Sequence, residues 1–263
     1  MSQLTLCKKI KYYKFEKRKI MNIDIDCPLI SCICVTSNRT EMLLKSIISF
    51  SQQTYPNKEL VISYPENDEP TKKLLDYIAN NTDLPILRVD RDEKCSIGKA
   101  RNLAIEYSNG KYICIWDDDD IHFENRLTEQ YDALNFQGQS YRASTIAQIL
   151  LFQCFNQTAY LSFASLWSCT LLCLKVDLLN YPCLDQNQFE CKPVLTYLSS
   201  GSLLSLLYNH PFLYTYVFHG KNLMKYTSFL YIINESSTLE QRISLAIRDR
   251  VALRIDPLID SHS

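Results

Sequence analysis

Short apolar runs alternate with amphipathic stretches along the first half of this chain. Runs rich in β-branched and aromatic residues predict buried strands over residues 28–36, 59–62, 85–89 and 111–116. Apolar residues at helical spacing predict helices over residues 38–53, 71–78, 96–107 and 125–134. Strands that alternate with helices indicate an α/β protein whose central sheet is mostly parallel and flanked by helices.

Two of the predicted helices begin with the sequence pattern of a capping box. Ser37 or Asn38 can accept a hydrogen bond at the start of the first helix, with Glu41 as the reciprocal partner. Ser237 and Glu240 have the same spacing at the start of a C-terminal helix, beyond a less regular stretch that begins near residue 140. The apolar face of this last helix comprises Leu239, Ile243, Ile247 and Val251.

The composition is that of a globular protein of 263 residues, long enough to bury one substantial core. A net charge of −1 leaves no excess of basic residues for nucleic acid, so we expect no nucleic-acid partner. The eleven cysteines are odd in number and include no C-x-x-C spacing. We therefore expect free thiols in a reducing cytoplasm rather than disulfides or a zinc site.

Two segments bear on contact with membranes. The first 20 residues interleave basic side chains with Tyr12, Tyr13 and Phe15, so they either rest on an anionic membrane surface or form a solvated tail. Residues 143–174 carry no charge, but polar side chains interrupt them too often for a spanning helix. We expect this second segment to form core and cleft-lining structure. The whole chain is then a cytoplasmic protein with at most peripheral contact at the inner face of the membrane.

Four consecutive carboxylates, Asp117, Asp118, Asp119 and Asp120, follow the predicted strand at 111–116. Like charges this close repel one another and are costly to bury, so they persist where a cation or water neutralises them. The carboxyl end of a strand in an α/β sheet is also where ligands bind. Hard oxygen ligands there favour Mg²⁺ or Mn²⁺ with a phosphorylated substrate, and the alternative is a solvated acidic turn.

Other cation and nucleotide motifs do not fit the chain. A calcium loop of the EF-hand type needs glycine where the chain has His122 and glutamate where it has Thr128. A phosphate loop at Gly98 needs an earlier glycine at the place of Glu93 and a hydroxyl residue at the place of Ala100. No G-x-G-x-x-G segment occurs, and five glycines in all leave no glycine-rich loop for a sugar nucleotidyltransferase.

Five ordered segments give the chain a resemblance to a known family. They are ISCICVTSNR at 30–39, QTYPNKELVI at 53–62, GKARNLAI at 98–105, WDDDDI with NRL at 116–127, and VFHGKN at 217–222. Together they resemble the family 2 glycosyltransferases of the GT-A fold, over about residues 28–225. The resemblance implies transfer of a sugar from a nucleotide-diphosphate sugar to an acceptor hydroxyl, with inversion and with the help of Mn²⁺ or Mg²⁺.

The resemblance also implies roles for the acidic cluster. Asp117 and Asp119 match the family's D-x-D pair and are expected to bind the metal ion. His219 is expected to complete the metal shell or to contact the diphosphate, and Asp118 to bind the ribose hydroxyls of the donor. Asp120 either faces the sugar or caps the next helix.

Further donor-binding residues are implied by the other matching segments. Thr36, Asn38 and Arg39 follow the first strand and are expected at the donor. Arg101 and Asn102 lie near a helix start, where a guanidinium and backbone N–H groups can meet phosphate or sugar oxygens.

One family segment is replaced in this chain. The second strand of the family runs into an Asp-Asp-Gly-Ser segment that binds the base, and that segment is absent here. Glu66 or Asp68 is expected to serve in its place, with Tyr64 stacked on the base.

The second departure concerns the general base. The family usually has Glu-Asp ahead of an apolar helix, and the matching pair here is Glu190-Cys191. A thiol is a poor base at neutral pH, so either Glu190 accepts the proton or Asp185 reaches the acceptor. The remaining alternative is a catalytically impaired member that binds nucleotide sugar as a partner subunit.

These expectations divide the chain into three parts. Residues 1–27 form a basic extension, residues 28–234 the glycosyltransferase domain and residues 235–263 a C-terminal helix. Within the domain, residues 28–135 form a Rossmann-like half for the donor and residues 136–234 a less regular half for the acceptor. By the habit of the family, the acceptor is a glycan or a lipid-linked saccharide of cell-surface polysaccharide biosynthesis.

Overall fold

The computed structural model describes residues 27–134 and 140–252, so the basic extension lies outside it apart from its last residue. The strands are β1 Ile30–Val35, β2 Lys58–Pro65, β3 Ile86–Arg91, β4 Tyr112–Ile115, β5 Ile121–His122, β6 Ala143–Ile146, β7 Leu150–Gln153, β8 Thr158–Leu161, β9 Leu172–Leu174, β10 Leu204–Leu207, β11 Tyr214–Phe218 and β12 Ser237–Thr238. The helices are α1 Thr40–Ser51, α2 Glu69–Asn81, α3 Ile97–Tyr107, α4 Arg126–Asp132, α5 Lys175–Asn180, α6 Lys192–Ser200, α7 Tyr226–Asn234 and α8 Gln241–Val251.

The larger sheet has seven strands in the order β10-β6-β9-β4-β1-β2-β3. Strands β4, β1, β2 and β3 are mutually parallel, and the predicted strands and helices of this half are all present. Strand β9 runs antiparallel between β4 and β6. The prediction of a mostly parallel α/β sheet flanked by helices is therefore confirmed, with one antiparallel strand that the sequence pattern did not indicate.

The sheet is buried on both faces because each face carries its own helices. Alternate residues of β1 point to opposite faces: Cys32 packs in one cluster with Phe50 of α1, and Ile33 packs in another with Ala104 of α3. The second cluster also contains Val194 of α6, from the later half of the chain. A strand covered on both sides reads as a continuous apolar run, which is why β1 was recognisable from sequence.

The less regular half contains a second sheet of five strands in the order β12-β8-β7-β11-β5. The uncharged segment supplies β6, β7, β8 and β9, and β6 and β7 are buried along their whole length. This agrees with the expectation of core structure. In the described part of the chain, no helix combines the length and the apolar character needed to cross a membrane.

Both predicted capping boxes are wrong. Helix α1 begins after Arg39, and no side chain caps it. Asn38 instead takes a left-handed backbone conformation (φ 51°), and its N–H donates to Asp68 Oδ2 at 2.6 Å. Near the C-terminus, Ser237 lies in β12, which pairs with β8, so it cannot cap α8. The predicted apolar face of α8 is confirmed for Ile243, Ile247 and Val251, which pack in one cluster with β7, and Leu239 joins this cluster from just before the helix.

Candidate active site

The acidic cluster lies directly after β4, at the carboxyl end of the parallel strands, as predicted. Asp120 is buried, and it accepts hydrogen bonds from the Tyr214 hydroxyl and from the Val217 N–H at 2.9 Å. These bonds fasten β11 to the cluster and thereby bring His219 beside it. The helix-capping alternative for Asp120 is wrong, because Asn125 occupies the cap position of α4.

Arg39 and His219 converge on Asp119. The Asp119 Oδ2 atom accepts from Arg39 Nη1 at 3.1 Å and lies 3.1 Å from His219 Nε2. Asn222 Nδ2 lies 3.4 Å from the same oxygen. Arg39 also approaches Asp118 at 3.4 Å, so one guanidinium bridges two carboxylates. Asn222 belongs to the His-Gly-Lys-Asn segment, yet sequence reasoning assigned it no role.

Asp118 faces the end of β1. Its Oδ2 atom accepts from the Thr36 hydroxyl at 2.6 Å, and its side chain is 4% exposed. Burial, and then the charge of Asp119, raise the pKa of Asp118 to about 7. Burial likewise raises the pKa of Asp117 and of Asp120. A cation near these carboxylates would therefore relieve an unfavourable concentration of negative charge.

Arg101 joins Asp117 to Glu190. Its Nη2 atom lies 2.5 Å from Asp117 Oδ1, and its Nη1 atom contacts Glu190 Oε1. Burial alone would lower the pKa of Arg101, but the charge of Asp117 and the neighbouring thiols raise it above the usual value. The guanidinium thus remains charged, and it holds two candidate site residues from distant parts of the chain together.

A buried network supports the acidic loop from behind. The His122 ring stacks on Trp116 with centroids 3.8 Å apart, and its Nε2 atom lies 2.9 Å from the Asp117 carbonyl oxygen. Arg126, fully buried, contacts His122 Nδ1 and donates to the Ile115 carbonyl at 3.0 Å. No local pattern revealed this network, because its partners belong to the strand, the loop and α4.

The remaining predicted site residues make other contacts. Asp68 is buried and caps α2 by accepting from the Thr71 N–H at 3.1 Å. Asn102 pairs through both amide atoms with the backbone of Cys183. Asp185 is 57% exposed and pairs with Lys99 Nζ at 2.8 Å, whereas Glu66 is exposed. Their roles in binding or catalysis stay predictions.

Two cavities adjoin these residues. One, of about 670 Å³, is lined by Asp118, Asp119 and His219 together with part of α1. The other, of about 980 Å³, is lined by Glu190 and Lys192 at the start of α6. Aromatic and apolar side chains form most of its remaining wall, among them Trp167, Phe189, Tyr216, Phe229 and Tyr231. Sequence reasoning missed this wall, because its residues are far apart along the chain.

The side chains around Asp119 have the chemistry to bind a divalent cation. Within the described residues, no group of three or more His, Cys, Asp and Glu side chains is arranged to hold a metal. Asp119 and His219 nevertheless offer two adjacent ligand atoms, beside carboxylates whose pKa burial raises. Mg²⁺ and Mn²⁺ take few protein ligands when substrate phosphates supply the others, so the residues present fit such an ion.

Comparison with known proteins defines the class. Residues 31–148 match the family model described as Glycosyl transferase family 2. The uncharacterised glycosyltransferase MJ1057 of Methanocaldococcus jannaschii is 32% identical over 111 residues, which cover 41% of this chain and 38% of that protein. The UDP-Glc:α-D-GlcNAc-diphosphoundecaprenol β-1,3-glucosyltransferase WfgD of Escherichia coli is 31% identical over 103 residues, 39% of each chain. The match thus spans about two fifths of these relatives.

Solved structures agree on the fold. TarS of S. aureus superposes with a TM-score of 0.57 at 14% identity, covering 84% of this chain and 70% of the TarS chain. The mannosyltransferase PcManGT of Pyrobaculum calidifontis, in complex with GDP-Man and Mn²⁺, gives 0.57 at 13% identity, covering 84% and 65%. Residues 31–148 are thus similar to glycosyl transferase family 2, and the chain has the α/β fold of the GT-A glycosyltransferase structures.

Proposed function

We propose that the chain transfers a sugar from a nucleotide-diphosphate sugar to an acceptor hydroxyl, with inversion and with Mn²⁺ or Mg²⁺. The observation that carries the proposal is the Asp117–Arg101–Glu190 contact, which connects the acidic cluster with a carboxylate in the wall of the larger cavity. Complexes of TarS with UDP and UDP-GlcNAc, and of PcManGT with GDP-Man and Mn²⁺, support a donor of this class.

The donor would bind at the acidic cluster. Asp119 and His219 would hold the divalent ion, which supplies positive charge to the diphosphate as the glycosidic bond breaks. Arg39, now 3.1 Å from Asp119, is free to turn its guanidinium to a phosphate oxygen once a cation balances the carboxylates. Asp118, fixed by Thr36, would bind the ribose hydroxyls.

Glu190 is the general base in this proposal. Its carboxylate lines the larger cavity, where an acceptor hydroxyl could approach it, and it pairs with the buried guanidinium of Arg101. Cys191 is fully buried, so its thiol does not reach a bound acceptor. The chain would thus retain a carboxylate base one position before the residue that the family usually uses.

The acceptor would occupy the larger cavity. Its volume of about 980 Å³ suits a saccharide of one or more units, and its aromatic wall suits the apolar faces of sugar rings. The names of WfgD and of the putative colanic acid glycosyl transferase WcaA of Escherichia coli support an acceptor in cell-surface polysaccharide synthesis. The proposal includes a lipid-linked saccharide as the acceptor. It therefore also includes a position of the protein at the inner face of the membrane.

Two measurements on the purified chain test the proposed function. In a panel of nucleotide sugars tested with Mn²⁺ or Mg²⁺, only the true donor should raise the unfolding temperature of the chain. A ligand that binds only the folded state stabilises that state. The same donor should then release nucleoside diphosphate slowly in a metal-dependent reaction. Binding without any release, with or without candidate acceptors, would favour the impaired partner subunit. Stabilisation by no nucleotide sugar would overturn the proposal.

A further inference from the structure

Two thiols lie against each other beside the proposed base. The Sγ atoms of Cys183 and Cys191 are 3.5 Å apart, and the two residues are 5% and 0% exposed. They are the two ends of a loop whose Leu184 N–H donates to the Glu190 carbonyl at 2.9 Å. This bond and the contacts of Asn102 with the Cys183 backbone hold the sulfur atoms as neighbours.

The surroundings give the two sulfur atoms different reactivity. A hydrogen bond from Cys191 and the positive charge of Arg101 lower the pKa of Cys183 against the opposing effect of burial. The same hydrogen bond and burial raise the pKa of Cys191. Arg101 Nη1 lies 3.9 Å from Cys191 Sγ. Cys183 is also the more exposed of the two, at 5% against 0%, so we assign it as the thiol that attacks an oxidant and Cys191 as the one that resolves the product.

We propose that Cys183 and Cys191 form a reversible redox-modification site for small disulfide oxidants, such as oxidised glutathione. The Cys183 thiolate attacks one sulfur of the oxidant and forms a mixed disulfide with it, while the other sulfur of the oxidant leaves as a thiolate and takes up the proton that Cys183 gave to solvent. Cys191 then loses its proton and attacks Cys183 Sγ, which forms the protein disulfide and releases the second half of the oxidant as a thiolate that takes up this proton. In balance, two protein thiols become one disulfide, and one small disulfide becomes two small thiols.

Oxidation would act on the neighbouring base. A disulfide holds its sulfur atoms about 2.05 Å apart, so Cys183 and Cys191 would have to approach by about 1.5 Å. Cys191 directly follows Glu190 and contacts Arg101, which pairs with Glu190. A displacement of about 1 Å at a reacting group can reduce a rate about a hundredfold, and we expect at least a tenfold loss of turnover. This consequence rests on the proposed function, whereas formation of the disulfide does not.

Peptide mapping tests the bond itself. The folded protein is treated with oxidised glutathione and then denatured without reductant, so that every remaining free thiol is alkylated, and the chain is cut after glutamate. Cleavage after Glu190 separates Cys183 from Cys191 unless a disulfide joins the two peptides. We expect the joined peptides, which fall apart on reduction. Cys32 and Cys114, which face each other on β1 and β4 in the core, should be alkylated instead. Alkylation of both Cys183 and Cys191 after treatment would overturn the proposal.

Turnover measurements then test the consequence. We expect oxidised glutathione to reduce turnover at least tenfold and dithiothreitol to restore it. In the Cys183→Ser variant, oxidised glutathione should leave turnover unchanged. Cys27→Ser, which alters a thiol outside the pair, should stay as sensitive as the unchanged chain. If Cys183→Ser fails to fold, Cys191→Ala serves the same comparison. Joined peptides with full turnover would refute the inhibitory effect. A reduced protein that is inactive with every donor would count against the proposed function, while the mapped disulfide would still stand.

Discussion

Arg101 and Glu190, which are 89 positions apart along the chain, form a buried ion pair, with their side chains 8% and 9% exposed. Arg101 lies in α3, and Glu190 lies two positions before the start of α6. The same guanidinium also holds Asp117. A single side chain thus connects the acidic cluster with the proposed base.

Replacement of Arg101 by methionine should destabilise the fold strongly. The buried Glu190 and the partly buried Asp117 would lose their counter-charge, and loss of one partner of a buried pair costs about 3–5 kcal/mol. Urea denaturation measures the change in the free energy of unfolding. Arg88→Met is the matched control, because its pair with Asp76 is on the surface and is worth at most about 1 kcal/mol. In the double variant Arg101→Met/Glu190→Gln the loss should be smaller than the sum, and strict additivity would contradict the proposed coupling.

Replacement of Asp119 by asparagine should weaken metal-dependent donor binding at least tenfold. The amide keeps the shape of the side chain but removes the negative charge that would hold a cation next to His219. Thermal stabilisation by nucleotide sugar with Mn²⁺ measures the effect. Asp76→Asn is the control, since its exposed side chain pairs with Arg88 far from the cluster. Donor affinity and turnover equal to those of the unchanged chain would show that Asp119 is not a metal ligand.

Replacement of Glu190 by glutamine should lower kcat by about 10²- to 10⁴-fold, the usual contribution of a general base. Donor affinity should change little, because Glu190 lines the larger cavity and not the one beside Asp119. Steady-state kinetics with donor titration separate the two effects, with Glu93→Gln as a surface control. Asp185→Asn provides the direct comparison between the candidate bases. A larger loss in that variant than in Glu190→Gln would move the role to Asp185.

Replacement of Gly98 by alanine should disturb the loop that carries Glu190. A Cβ atom there would lie 1.7 Å from the Leu184 carbonyl oxygen and 3.2 Å from Glu190 Cβ. Overpacking of this kind costs about 1–3 kcal/mol, and we expect reduced turnover as well as a lower unfolding temperature. Gly201→Ala is the matched control, because its new methyl would meet mainly the flexible Leu203 side chain at 3.1 Å. Equal effects of the two substitutions would argue against a close approach at Gly98.

The parallel half of the fold was predictable from sequence because its strands are buried on both faces. Ile30, Ile33 and their neighbours give continuous apolar runs, and the helices between them keep a helical period. The second sheet was not predictable in this way. Its strands are two to five residues long, and β7 pairs with β11 across more than 60 positions, so local pattern carried little information.

Caps and cavity walls were the least predictable features. Asn38 would be a good cap by its chemistry, but Asp68, 30 positions away, takes its N–H. In the site, the sequence alone was enough to identify Asp117, Asp118 and Asp119, because they are consecutive acidic residues directly after a predicted strand. The thiol pair forms where the two ends of a loop meet, and the cavity wall that contains Trp167 and Tyr216 forms where distant segments of the chain meet. A local sequence pattern does not show which of these residues come into contact.

The position of β9 has a practical consequence for anyone who shortens this chain. The stretch that matches the family, residues 31–148, ends after β6, yet β6 reaches β4 only through β9 at Leu172–Leu174. A fragment that stops at residue 148 would have a gap one strand wide in its sheet, with two unsatisfied edges available for aggregation. The stretch that matches the family is therefore shorter than the stretch that completes the sheet. A shortened chain should retain residues up to at least 207, the end of β10.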